Sequence, residues 1–217
     1  MRIGMAPAAG LLYGPAIVAA ALGHMVATPV RISTGHAPAM LADLLADQLD
    51  LVIAPQPRRF RASGVARRTM YASAPAIYAR LGHPAGDAVA LADVARAGWV
   101  VAGSAGTPGN VIEEAFRVRR WPPPRIAAQC ADYAMLIRII ADSDLLGVIS
   151  HPALVADPAA LGIRPIRIIE GLPRYDVCLF WLPKRPAPAA REAVLSALRR
   201  LAGDRRATSS ARSRPAC

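Results

Sequence analysis

The sequence predicts an α/β fold built in two halves. Short Val/Ile-rich runs alternate with helical patterns, the alternation restarts after a loop near residue 82, and the chain is apolar enough to fill two cores. Of its 217 residues, 54% are hydrophobic and 19% charged, with a mean hydropathy of +0.30. That composition excludes a disordered polymer. The length suffices for one full core or for two lobes of about 100 residues each.

Arg2–Met5 reads as the first strand, and Gly14-Pro15 opens a helix through Leu22 with proline at a tolerated first-turn position. Val30–Ser33 is a second strand. Pro38–Asp47 is a helix with Met40, Leu41, Leu44 and Leu45 on one face. Leu51–Ala54 is a continuously apolar strand, the pattern of a strand covered on both faces. Arg58–Arg68 is an arginine-dense surface connection leading to a strand near Met70, followed by Ala76–Ala79. Gly82–Gly86 is a loop by composition. The second alternation runs helix Leu91–Arg96, strand Trp99–Ala102, loop Gly103–Gly109, helix Val111–Val118, strand Arg125–Cys130, helix Tyr133–Ala141 and strand Leu146–Ser150. A short helix from Pro152 and strands Ile163–Ile169 and Asp176–Trp181 follow. Pro188–Ala202 closes the body as a helix, and 203–217 is a disordered basic tail.

The net charge is +11, carried almost wholly by arginine, with Lys184 the one lysine. Residues 199–217 contribute +5 of it, so much of the high pI is a tail effect. The clusters around Arg58–Arg61 and Arg117–Arg125 read as solvated or partner surface, because no nucleic-acid-binding module accompanies them. Cys130, Cys178 and Cys217 are odd in number and far apart, which fits neither a disulfide framework nor a zinc knuckle. No metal and no cofactor is expected, and a reducing, cytoplasmic setting is the simplest one. The uncharged run Ile3–Val30 is broken by Pro7, Gly10, Gly14, Pro15, Gly23 and Pro29, so it reads as strand, turn and buried helix, not as a signal peptide or span.

Three segments have a familiar order: Arg2–Gly10, then Val30-Arg31-Ile32-Ser33-Thr34-Gly35-His36, then Leu44–Ile53. Arg80-Leu81-Gly82-His83-Pro84, Leu91-Ala92-Asp93-Val94 through Trp99-Val100-Val101, and Leu146–Pro152 follow them. Together they resemble the effector-binding region of LysR-type transcriptional regulators over residues 1–202. The resemblance implies a type 2 periplasmic-binding-protein-like fold of two Rossmann-like lobes joined by two crossover strands. Lobe I would be 1–72 plus 175–202, and lobe II 76–172. It also implies a homo-oligomer that binds a small-molecule effector, an organic acid among the candidates, in the interlobe cleft. The family's winged helix-turn-helix is not in these residues, since Met1 adjoins the first strand of the effector region. DNA contact is therefore expected only through a domain absent from this chain, and no membrane contact is expected.

Where the family often places a hydroxyl on the ligand carboxylate, the sequence has Ala8, and after the second strand Ala37 follows His36. Both absences argue against a muconate-like dianion. The Gly-rich loop Gly103–Asn110 offers backbone amides with Ser104, Thr107 and Asn110, and it is neither GxxxxGK[ST] nor GxGxxG. Its hydroxyls equally suit capping of the next helix. Asp132 and His151 follow strand ends in lobe II and read as cleft lining, as an acid/base pair, or as a helix cap and a turn residue. Cys130 and Cys178 read as core thiols, Cys130 at the cleft edge. The ligand-binding set is therefore His36, Ser104, Thr107, Asn110, Asp132 and His151, in a non-enzymatic sensor. A transporter's solute-binding protein is the alternative on the same fold, and an enzyme the third, for which no nucleophile–base motif stands out.

Overall fold

The computed structural model describes residues 1–22, 29–57, 63–103, 107, 109–183, 192, 195 and 196. In chain order the elements are β1 (Arg2–Met5), α1 (Pro7–Leu22), β2 (Arg31–Thr34), α2 (Ala37–Leu45), β3 (Leu51–Pro55), β4 (Ala66–Ala72) and β5 (Ala76–Arg80). Then come β6 (Gly98–Ala102), α3 (Val111–Val118), β7 (Arg125–Cys130), α4 (Tyr133–Ala141), β8 (Leu145–Ile149), β9 (Ile163–Ile166) and β10 (Asp176–Trp181). They form two compact units, one joining Met1–Ala72 to the chain from Asp176 onward, the other Ser73–Tyr175.

The first unit's sheet has the order β2-β1-β3-β10-β4. Strands β2, β1 and β3 are parallel, and β10 runs antiparallel to both β3 and β4. Its core packs Met40, Leu41 and Leu44 of α2 with Leu49, Val52, Ala54, Cys178 and Phe180. The second unit has the order β7-β6-β8-β5-β9, again three parallel strands followed by two antiparallel ones. Its core gathers Trp99, Val101, Ile112, Phe116, Leu146 and Ile166. In both sheets the first strand lies between the second and third, so parallel strands continue to opposite sides of it. Ligands in such sheets bind beyond the carboxyl ends at that switch point.

Several elements depart from the sequence reading. Helix α1 begins at Pro7, not at Gly14-Pro15, and Pro15 lies inside it. Burial of Ala9, Tyr13 and Ile17, at helical spacing, carries the helix through the missing N–H of Pro15. Leu91–Arg96 is only a 3-10 turn, Leu91–Val94, because Gly98 already opens β6; Leu91 and Val94 are both buried at i, i+3. Gly82–Gly86 is not wholly loop, since Pro84–Asp87 forms a 3-10 turn capped by the buried His83, whose Nδ1 accepts from the Ala85 N–H at 3.0 Å. Helix α2 stops at Leu45, and Asp47 follows at φ 63°. Strand β9 ends at Ile166. Most of Pro188–Ala202 and all of 203–217 lie outside the described residues; Glu192, Leu195 and Ser196 are helical, with Leu195 buried.

A pH-sensitive tie fastens β1 to the loop before β3. Asp50 Oδ2 accepts from the Arg2 backbone N–H at 2.6 Å, and its Oδ1 accepts from Arg2 Nη2 at 3.0 Å. Partial burial pushes the Asp50 carboxyl up, but the bonds from Arg2 outweigh it and hold it below the usual range. A depressed carboxyl stabilises the fold above the unfolded-state pKa of about 3.9, and the contribution is lost as pH falls through the lower folded value. Asp50→Asn is expected to lower stability by about 0.5–1 kcal/mol at pH 7. Urea denaturation at pH 7 and again near pH 3 checks it, and the gap between variant and parent should close at the acid end.

Candidate functional site

In the second unit the parallel pairing of β7, β6 and β8 puts their carboxyl ends on one sheet edge. Everything that follows those strands is displayed there: the Gly103–Asn110 loop after β6, Asp132 after β7, and Ser150-His151 after β8. The β6 and β8 turns flank the switch point. The structure thus brings Thr107, Asn110, Asp132 and His151 to one edge, while Ser104 lies outside the described residues. His36 follows β2 on the equivalent edge of the first unit, exposed, as the residue preceding α2 with no side-chain cap bond.

Local chemistry explains each placement. Gly103 has φ +123°, and a Cβ there would meet Thr107 Oγ1 at 2.6 Å. A Cβ on Gly109 would fall 1.3 Å from the Ala102 carbonyl oxygen, while the Ala102 N–H donates to the Gly109 carbonyl at 3.1 Å. Gly109 therefore lies against the end of β6, and only glycine permits that approach. Asn110 precedes α3, buried, and among the described residues its Oδ1 has no hydrogen-bond partner.

Asp132 and His151 act locally as caps. Asp132 Oδ1 accepts from the Met135 N–H at 2.7 Å at the start of α4, and His151 Nδ1 accepts from the Ala153 N–H at 3.1 Å. Cys130 is half-buried at the end of β7, its Sγ donates to the Asp132 carbonyl at 3.6 Å, and burial raises its thiol pKa, so it is not poised as a thiolate. Cys178 is buried in the core of the first unit.

Two edge residues escaped the sequence reading. Ser150, buried, accepts from the Tyr133 hydroxyl at 2.8 Å, and burial foremost raises the Tyr133 phenol. Gln56 follows β3 on the first unit's carboxyl edge, and its N–H donates to the Asp176 carbonyl at 2.9 Å. Both immediately follow parallel strands, a signal present in the sequence but masked by attention to helix starts. Among the described residues no group of three or more His, Cys, Asp or Glu could hold a metal ion, and no helix is long and apolar enough to cross a membrane.

The family model for the LysR substrate binding domain matches residues 1–203. The chain belongs to this family. The LysR substrate binding domain shares its fold with several solved structures. The regulatory domain of CcmR from Synechocystis PCC6803, in complex with 2-PG, has a TM-score of 0.77 at 12% identity, over 93% of this chain and 96% of that one. The effector binding domain of QuiR, in complex with shikimate, gives 0.73 at 14% identity over 94% and 97%. That of BenM with its effector benzoate gives 0.73 at 9% identity over 94% and 92%. At such identities the likeness is one of fold. It places this LysR substrate binding domain among type 2 periplasmic-binding-protein-like folds.

Proposed function

We propose that this domain senses a small organic acid and reports it to a transcription regulator. The observation that carries the reading is the position of Thr107, Asn110 and His151 at the β6/β8 switch point of a LysR substrate binding domain. Asp132 shares this edge, Ser104 is a candidate from the sequence alone, and His36 is the first unit's own candidate. The absence of a hydroxyl at Ala8 and Ala37 favours a monoanion over a dianion. Shikimate and benzoate, named for QuiR and BenM, are both monocarboxylates.

The reading has the domain bind without transforming its ligand, in the cytoplasm, within a homo-oligomer whose DNA contacts come from another domain. The domain boundaries that go with it are 1–72 plus 175–202 for one lobe and 76–172 for the other. Ligand binding biases the regulator through its different affinity for alternative states of the domain.

A thermal-shift screen of hydroxylated and aromatic monocarboxylates against matched dicarboxylates tests this. A true effector at a hundred times its Kd adds about 2.7 kcal/mol of stability, a readily seen rise in Tm. His36→Ala and His151→Ala should each reduce that rise, with the ligand recovered unchanged. Tightest binding by a dicarboxylate, indifferent to His36→Ala, would overturn the proposal, as would turnover of the ligand.

A further inference from the structure

Four polar residues are buried among the described ones, and two of them, Ser73 and Ser150, meet where the chain passes between units. The first crossing runs from β4 through Ser73-Ala74-Pro75 into β5, and the second through Arg174-Tyr175 into β10. The crossings are bonded to each other: the Ser73 N–H donates to the Tyr175 carbonyl at 2.8 Å, and the Tyr175 N–H donates to Ser73 Oγ at 2.8 Å. The first crossing is also bonded to the carboxyl edge of the second unit, because the Ala74 N–H donates to the Ser150 carbonyl at 3.0 Å. The Ser150 side chain accepts the Tyr133 hydroxyl from the first turn of α4, and the Tyr175 hydroxyl faces the same Oγ.

Ser150 therefore sits at a junction. Its main chain holds one crossing, its side chain faces the other, and it is flanked by two candidate ligand-facing segments, His151 ahead of it in sequence and Asp132-Tyr133 across the hydroxyl bond. We propose that Ser150 is a positioning residue that couples the carboxyl-edge turns of the second unit to both chain crossings at once. That these turns face an effector rests on the function proposed above; the coupling itself does not. A displacement of the Pro152 turn or of the α4 start is delivered to Ala74 and Tyr175 through short hydrogen bonds between buried and half-buried groups.

Hydrogen–deuterium exchange on the whole chain, without ligand, tests the coupling. Tyr133→Phe removes one hydroxyl, keeps the ring in place and removes no main-chain bond of either crossing. It is expected to speed exchange of the Ala74 and Tyr175 amides by about threefold to tenfold, the size expected for loosening one buried bond. Ser150→Ala should speed the same two sites further, and Tyr133→Phe alone decides the matter should Ser150→Ala fail to fold. The amides of Val100 and Val101 in β6 report global loosening and should keep their parental rates. Unchanged crossings in Tyr133→Phe, or an equal acceleration at β6, would overturn the proposal. Because no ligand is used, a failed acid screen and a failed coupling are separate results.

Discussion

Trp99→Ala is expected to destabilise the second unit by about 3–5 kcal/mol, more than any surface change in the molecule. Trp99 is fully buried on β6, and its indole meets Phe116 of α3 edge-on at a centroid distance of 6.5 Å. Phe116 in turn meets Trp121 edge-on at 5.4 Å, so one truncation unseats an aromatic stack that holds α3 to the sheet. The α3 start carries Asn110, so the loss reaches the candidate site as well as the core. Urea denaturation followed by circular dichroism should show the fall, together with a drop in Tm of about 10 °C or more. Trp99→Phe is the control. The indole Nε1–H is buried with no hydrogen-bond partner, so removing it abolishes an unsatisfied donor while keeping an aromatic ring, and the cost should be far smaller. Equal losses for the two variants would mean that the indole, not ring packing, stabilises this core.

The second large effect belongs to Gly109→Ala. A Cβ there would overlap the Ala102 carbonyl oxygen at 1.3 Å, and that obstacle is backbone, which cannot swing aside like a side chain. The loop must open away from β6, giving up the bond from the Ala102 N–H to the Gly109 carbonyl and moving Asn110 off its buried position. Stability should fall by about 1–3 kcal/mol, as for other overpacked sites. Binding of any acid found in the thermal-shift screen should weaken at least about tenfold, or 1.4 kcal/mol. Titration calorimetry at a temperature where the variant remains folded separates the two. A variant that binds as the parent does would show that the β6 turn lies away from the ligand.

Both expectations rest on features of different legibility. The run Trp99–Ala102 is apolar throughout, and reading it as a strand needed no tertiary information. The loop after it was legible as a ligand candidate from its glycines and hydroxyls, but not the reason for the glycines, which is the approach of Gly109 to Ala102. The start of α1 was misread because Gly14-Pro15 carries a strong local signal, whereas the burial that overrides it, at Ala9, Tyr13 and Ile17, exists only once the sheet is assembled. The 3-10 turn at Leu91–Val94 differs from the expected helix for a similar reason, since i, i+3 burial suits both.

Residue by residue, the sequence determined the α/β alternation, the apolar cores and most of the turns that present Thr107, Asn110, Asp132 and His151, because hydrophobic period and turn chemistry are local properties. Only the tertiary structure decided which of those turns share an edge, that β6 and β8 flank a switch point, and that Ser150 rather than its neighbour His151 joins Ala74 and Tyr133. Strand order and long-range hydrogen bonds connect residues as far apart as Val52 and Phe180, and no periodicity along the chain encodes such a pairing.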